Sequence, residues 1–209
     1  MQSEVKIVID KICLYLTNKI RKEMPEIDDE RAEIINFGLQ NIIGEIPKIF
    51  IMLGIAYLLG VFKLALISFL IMLPYRTFSG GFHLKTHIGC IIATSTMYCL
   101  PALLGKYLIL PNNIKLILIL LIWIFGMIMI KLYAPADTEN IPILRKKERK
   151  QKQILSYITL TVALIIAAVI RNNVIANIII FGYLIQTCTI TRIAYKLTDN
   201  KYGHEVYNT

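Results

Sequence analysis

The stretch Arg76-Thr-Phe-Ser-Gly-Gly-Phe-His83-Leu-Lys-Thr-His87-Ile-Gly-Cys90 places two imidazoles and a thiol close together in sequence, beside a double glycine. A thiol becomes a nucleophile once a base takes its proton, so a histidine brought to a cysteine makes a cysteine active site. The same side chains could instead offer three ligands to zinc, with water in the fourth position. A polar loop between helices, without chemistry, is the plain alternative.

Spacing constrains these options. On one continuous helix His83 and Cys90, at i and i+7, share a face but lie roughly 10 Å apart, too far for direct proton transfer. A dyad of these two needs a bent chain, and Gly80, Gly81 and Gly89 supply points where it can bend. His87 and Cys90, at i and i+3, meet on a regular helix with no bend, so spacing alone favours that pair. The zinc arrangement of His83, His87 and Cys90 is a weak signal, because no carboxylate in the segment orients a ligand or acts as base; neither metal nor cofactor is expected. Cys90 falls at the predicted start of a helix, where the positive end of the dipole favours a thiolate. Cys13, Cys99 and Cys188 fall on apolar stretches and read as small apolar residues, with no disulfide framework.

The elements that must hold this stretch are membrane spans. The chain has 209 residues, 56% of them hydrophobic, and a mean hydropathy of +0.61. Its apolar residues come in blocks, the composition of an integral membrane protein. No secretory leader is legible at Met1-Gln-Ser-Glu-Val-Lys-Ile, so a retained N-terminus is expected. The segments 88–105, 114–132, 154–170 and 174–191 each approach the roughly 20 apolar residues that cross a bilayer. The block from Ile49 to Leu73 is either one long span or a hairpin turning at Gly60-Val-Phe-Lys63.

Charge chooses the hairpin, giving spans 37–60 and 61–74. The basic N-terminus, the loop with Arg76 and Lys85, the run from Lys131 to Lys152 and the tail with Arg192, Lys196 and Lys201 then share one side. Only Lys63, Lys106, Lys115 and Arg171 remain opposite. By the positive-inside tendency, both termini and the loop 75–87 face the cytoplasm, as does the basic loop 133–153.

Ahead of the spans, Val5, Val8, Ile9, Ile12, Cys13, Leu16 and Ile20 recur at helical spacing. This predicts an amphipathic interfacial helix within 1–34, although packing under the bundle gives the same pattern. Pro25 ends it, and Asp28-Asp29-Glu30 suits the first turn of the next helix. The expected fold is all-α, a polytopic integral membrane bundle of about six transmembrane helices, one domain over 1–209. The net charge of +9 sits beside spans and fits contact with membrane lipid rather than nucleic acid, for which no motif is present.

The pattern Arg76-x-x-x-Gly80-Gly81-x-His83-x6-Cys90, followed by Tyr133-Ala-Pro-Ala-Asp137-Thr-Glu139-Asn140-Ile-Pro142 before a basic run, closely resembles the accessory gene regulator B (AgrB) family of Gram-positive bacteria. The resemblance covers nearly the whole chain. It implies a membrane cysteine endopeptidase that processes a quorum-sensing propeptide, with His83 and Cys90 as the catalytic pair. Arg76, Gly80 and Gly81 match other positions of the motif, and His87 lies outside it. Ile141 departs from the family, whose members often carry lysine there. The resemblance thus implies a bent segment in which His83, not His87, reaches the sulfur.

The implied chemistry is attack of Cys90 on a backbone carbonyl of an AgrD-like propeptide, release of its C-terminal tail, and closure of a thiolactone or lactone ring from the thioester. A homodimer is also implied. Arg76 is expected to clamp an acidic part of the peptide or to pair with Asp137 or Glu139, and Asp137 or Asn140 to orient His83. A capped turn over 133–142 is the plain alternative. Two other classes compete: a non-catalytic membrane scaffold, and a small peptide transporter. A transporter would place polar residues at mid-membrane, whereas the spans are aliphatic there apart from Thr94, Ser95, Thr96 and Gln186.

Overall fold

In lipid every backbone amide and carbonyl must be satisfied within the chain, which makes helices of the long apolar blocks. The computed structural model describes residues 2–84, 86–139 and 141–207, with side chains from position 8 onward except those of Asn41 and His87. Lys85 and Asn140, both used above, lie outside the described residues. The helices are α1 (Gln2–Glu23), α2 (Asp29–Leu58), α3 (Phe62–Ser79), α4 (His87–Tyr107), α5 (Asn112–Tyr133), α6 (Lys146–Val169), α7 (Asn173–Thr189), and the short α8 (Arg192–Leu197) and α9 (Gly203–Tyr207). The fold is all-α, as expected. Among the described residues five helices, α2 to α6, are long and apolar enough to cross a membrane, and α7 is apolar but has 17 residues.

Backbone contacts divide the chain into two units, Met1–Met52 and Leu53–Thr209. In the first, α1 stops just before Pro25, and the Asp28 carboxylate caps α2 by accepting from the Arg31 amide at 2.8 Å. Cys13 and Thr17 are buried, whereas Val8, Ile12 and Tyr15 of the same helix are exposed. Polar ties join α1 to α2: Gln40 donates to Asp10 at 3.1 Å, and Arg21 pairs with Asp29 at 2.7 Å.

The second unit is a bundle. Its entry turn falls at Gly60, whose φ of +65° suits glycine, between the end of α2 and the start of α3. Helix α7 packs against α3, α4, α5 and α6. It is buried along its length, from Ala176 through Ile178, Ile180 and Tyr183 to Gln186. A helix wrapped by protein need not match the bilayer by itself, which suits the shortest of the apolar helices. Close approaches occur at small residues: a Cβ on Gly126 would lie 2.5 Å from Leu160, and one on Gly182 2.7 Å from Met72.

Two boundaries differ from expectation in ways that shape the site. Helix α3 continues through Tyr75 and Arg76 to Ser79, which shortens the loop expected over 75–87 to 80–86. The basic run from Lys146 onward, expected to be loop until 153, is already the first turns of α6. Lysine, glutamate and arginine are good helix formers, and Lys152 pairs with Glu148 one turn away at 3.3 Å.

Candidate active site

The loop begins where α3 can no longer continue. Gly80 (φ +72°, ψ −149°) and Gly81 (φ +139°) take backbone conformations that side-chain-bearing residues avoid. Space demands glycine at Gly80 as well, since a Cβ there would lie 2.3 Å from the Ala136 carbonyl oxygen. That closeness reflects a short backbone bridge: the Ala136 amide donates to Ser79 O at 2.8 Å, and the Gly81 amide to Ala136 O at 2.9 Å. The two sequence motifs, far apart in the chain, are thereby stitched together.

Side chains then hold the loop at its carbonyls. Arg76, on the last turn of α3, donates to Gly80 O at 3.3 Å, to Phe82 O at 2.9 Å and to Thr189 Oγ1 at 3.1 Å. Gln186, fully buried on α7, donates to Gly80 O at 2.8 Å and to Ser79 Oγ at 2.9 Å. The Phe82 amide reaches Thr189 O at 3.3 Å. Asn200, in the tail after α8, donates to the His83 carbonyl at 2.8 Å. His83 therefore sits on a short segment tethered at residues 80, 82 and 83, with its own side chain exposed.

Cys90 stands in the first turn of α4 and is half-buried. Thr86 caps that helix: its Oγ1 accepts from the Gly89 amide at 3.1 Å, and its carbonyl accepts from the Cys90 amide at 2.9 Å. The chain leaves one helix at Gly80 and enters the next at His87, so the straight-helix separation of His83 and Cys90 does not apply. His87 opens α4 and precedes Cys90 by three residues on the same helix, which keeps that spacing as the alternative pair.

Asp137 has partners that sequence reasoning did not supply. Its carboxylate is fully buried and lies 2.7 Å from His204 Nδ1 and 3.2 Å from Arg149. The same carboxylate accepts from the Ile143 amide at 2.9 Å. Burial pushes the carboxyl upward, but the His204 and Ile143 hydrogen bonds and the Arg149 charge together outweigh it and hold the group below the usual carboxylate range. Arg149 also donates to Ile143 O and Pro135 O, at 3.4 and 3.3 Å. Asp137 thus anchors the loop after α5 to α6 and to the C-terminal tail, where a role in orienting His83 or pairing with Arg76 was expected. Glu139 lies half-buried in the tight turn closed by the Ile141 amide on Thr138 O.

The tail completes the site. Tyr195 donates to Ala136 O at 2.8 Å, and its ring stacks on Tyr202 at 4.0 Å, which in turn stacks on Tyr133. Burial pushes the Tyr195 and Tyr202 hydroxyls up, so both act as hydrogen donors and not as acids. Gln186 was visible in sequence as a polar break in an apolar span. Thr189, Tyr195, Asn200 and His204 carried no spacing signal, because the partners that tie them to the two motifs lie more than fifty residues away. Among the described residues, no three His, Cys, Asp or Glu side chains gather as a metal site.

The arrangement is a thiol in the first turn of α4 and an imidazole on the loop that leads into that helix, at the end of the bundle where α3, α5 and α7 finish and α4 and α6 begin. The sequence comparisons agree with the motifs. A model of the accessory gene regulator B family matches residues 13–190. An AgrB-like protein of Listeria innocua is 28% identical over 191 residues, covering 90% of this chain and 91% of the relative. One from Clostridium acetobutylicum is 27% identical over 201 residues, with 93% and 91% covered. Accessory gene regulator protein B of Staphylococcus aureus is 28% identical over 191 residues, with 91% and 96% covered. No solved structure matches the chain. The chain belongs to the accessory gene regulator B family, and its role lies in the accessory gene regulator system of quorum sensing.

Proposed function

We propose that the chain is a membrane cysteine endopeptidase in which His83 takes the proton of Cys90 and the thiolate attacks a backbone carbonyl of an AgrD-like propeptide. The observation that carries this reading is the interruption between Gly80 and His87, which releases His83 from helical spacing while three tethers keep its segment in place. Collapse of the tetrahedral adduct expels the amine of the C-terminal tail, protonated by the imidazolium, and leaves a thioester on Cys90. A thiol or hydroxyl of the same peptide, giving its proton to the now neutral His83, then attacks that carbonyl, closing a thiolactone or lactone and returning the Cys90 thiolate. Exchange with a thiol keeps most of the thioester's activation, and holding the internal nucleophile nearby favours ring closure over water.

The site is assigned to the cytoplasmic face, with both termini on that side. Lys131, Lys146, Lys147, Lys150, Arg192, Lys196 and Lys201 gather at the site's end of the bundle, whereas Lys63, Lys106, Lys115 and Arg171 mark the other. Arg76 serves the catalytic loop by holding its backbone, and Asp137 serves it at one remove by fixing the loop after α5, to which Gly80 and Gly81 are bridged. The test is coexpression with a short propeptide. Cys90→Ser and His83→Ala are expected to abolish release of the tail, while His87→Ala and Cys99→Ser preserve it. Tail release by correctly inserted Cys90→Ser protein removes the peptidase reading in favour of a scaffold. Loss in His87→Ala with retention in His83→Ala transfers the base to His87.

A further inference from the structure

We propose that the C-terminal tail forms a binding site for the phosphate headgroup of an anionic phospholipid, beside the loop that carries His83. Helix α8 follows α7 after a single turn and divides its side chains by kind. Arg192 and Lys196 line a cleft of about 340 Å³, together with Asn200, Lys201, Tyr202 and Glu205. Ile193 and Leu197, one turn apart on the same short helix, are 72% and 81% exposed. Three cations against one carboxylate leave the cleft net positive, and Glu205 lies 3.8 Å from Arg192.

The cleft is at the small end of ligand sites, suited to a headgroup and not to a whole lipid. Ile193 and Leu197 offer an apolar bed for acyl chains beside it, which a free phosphate would not use. A zwitterionic headgroup brings no net charge to the cations, so the site selects anionic lipid. Asn200 gives the site a consequence: it lines the cleft and also donates to the His83 carbonyl. A headgroup held there steadies the tail on which the His83 segment hangs.

The test reads lipid binding, so it stands or falls apart from the peptidase proposal. The purified full chain in detergent is titrated with phosphatidylglycerol and with phosphatidylcholine, and bound lipid is counted by native mass spectrometry. Wild type is expected to prefer phosphatidylglycerol by about tenfold or more. The variant Arg192→Gln/Lys196→Gln/Lys201→Gln should lose that preference, while Lys146→Gln/Lys147→Gln/Lys150→Gln, with equal charge loss on α6, should keep it. If the first triple variant misfolds on gel filtration, Lys201→Glu alone must still weaken phosphatidylglycerol binding about fivefold. Equal losses in both triple variants would mean a diffuse basic collar and overturn the proposal. Displacement by inorganic phosphate or glycerol phosphate at the lipid's own concentration would make it a free-phosphate site, and displacement by an acidic peptide at lower concentration a peptide site; either result overturns it.

Discussion

Replacing Arg76 by lysine separates two roles that a charge alone would not distinguish. The guanidinium reaches Gly80 O, Phe82 O and Thr189 Oγ1 at once, a fan of three bonds that one ammonium on a shorter reach does not span. Lysine keeps the charge and one of these bonds. Loss of the other two, at about 1.5 kcal/mol each for bonds to a charged donor, removes about 3 kcal/mol of loop anchoring. If the anchored loop is the competent state, its population falls by about a hundredfold, since each 1.4 kcal/mol is tenfold. The assay is tail release from a saturating propeptide by purified protein in vesicles, with Cys90 alkylation as a check on folding. The expected result is a kcat reduced by about a hundredfold, a KM changed little, and alkylation retained. A wild-type kcat in Arg76→Lys, or a loss confined to KM, would refute the anchoring argument; the second result would return Arg76 to the role of a clamp on acidic peptide.

Asp137→Asn removes a buried charge from between Arg149 and His204 and is expected to lower stability by about 3 kcal/mol at neutral pH, read by thermal melting in detergent. The Asp137 carboxyl titrates below its unfolded value of about 3.9, so its contribution is present above that pH and is lost as pH falls through the folded value. Wild type should lose stability steeply below about pH 4, and Asp137→Asn more gently. Gly80→Ala should destabilise the loop by at least about 2 kcal/mol, seen as faster proteolysis between α3 and α4, because it adds a Cβ at φ +72° and 2.3 Å from Ala136 O. Truncation after Leu197 removes the Asn200 and Tyr202 contacts and is expected to abolish tail release while membrane insertion persists.

Much of the fold was legible because membrane burial writes itself into composition. The apolar blocks and the glycine turn at Gly60 needed no tertiary information. Boundaries were less legible: the run from Lys146 has the charge of a loop and the propensity of a helix, and propensity prevailed. At the site, Gly80 and Gly81 signalled a bend through chemistry that only glycine supplies. The partners of that bend were hidden. Gln186, Thr189 and Asn200 each hold it by a bond across more than a hundred residues; Gln186 stood out as a polar break in an apolar span, but nothing local named its partner, and nothing local distinguished Thr189 or Asn200. Asp137 misled for the same reason, since a carboxylate in a motif with a histidine suggests that histidine as its partner. His204 lies in an unremarkable tail and occupies the place instead.

The tether from Gln186 to Gly80 spans 106 residues of chain, and a ribosome adding about 5–20 residues per second needs roughly 5–20 s to traverse them. For most of that interval Cys90 and His83 are already made, but the helix that secures their loop is not yet complete. The nascent chain thus carries the Cys90 thiol before its loop can be anchored. On the peptidase reading proposed above, competence arrives with the last apolar helix, and translation itself sets the delay before the inserted chain acts on its surroundings.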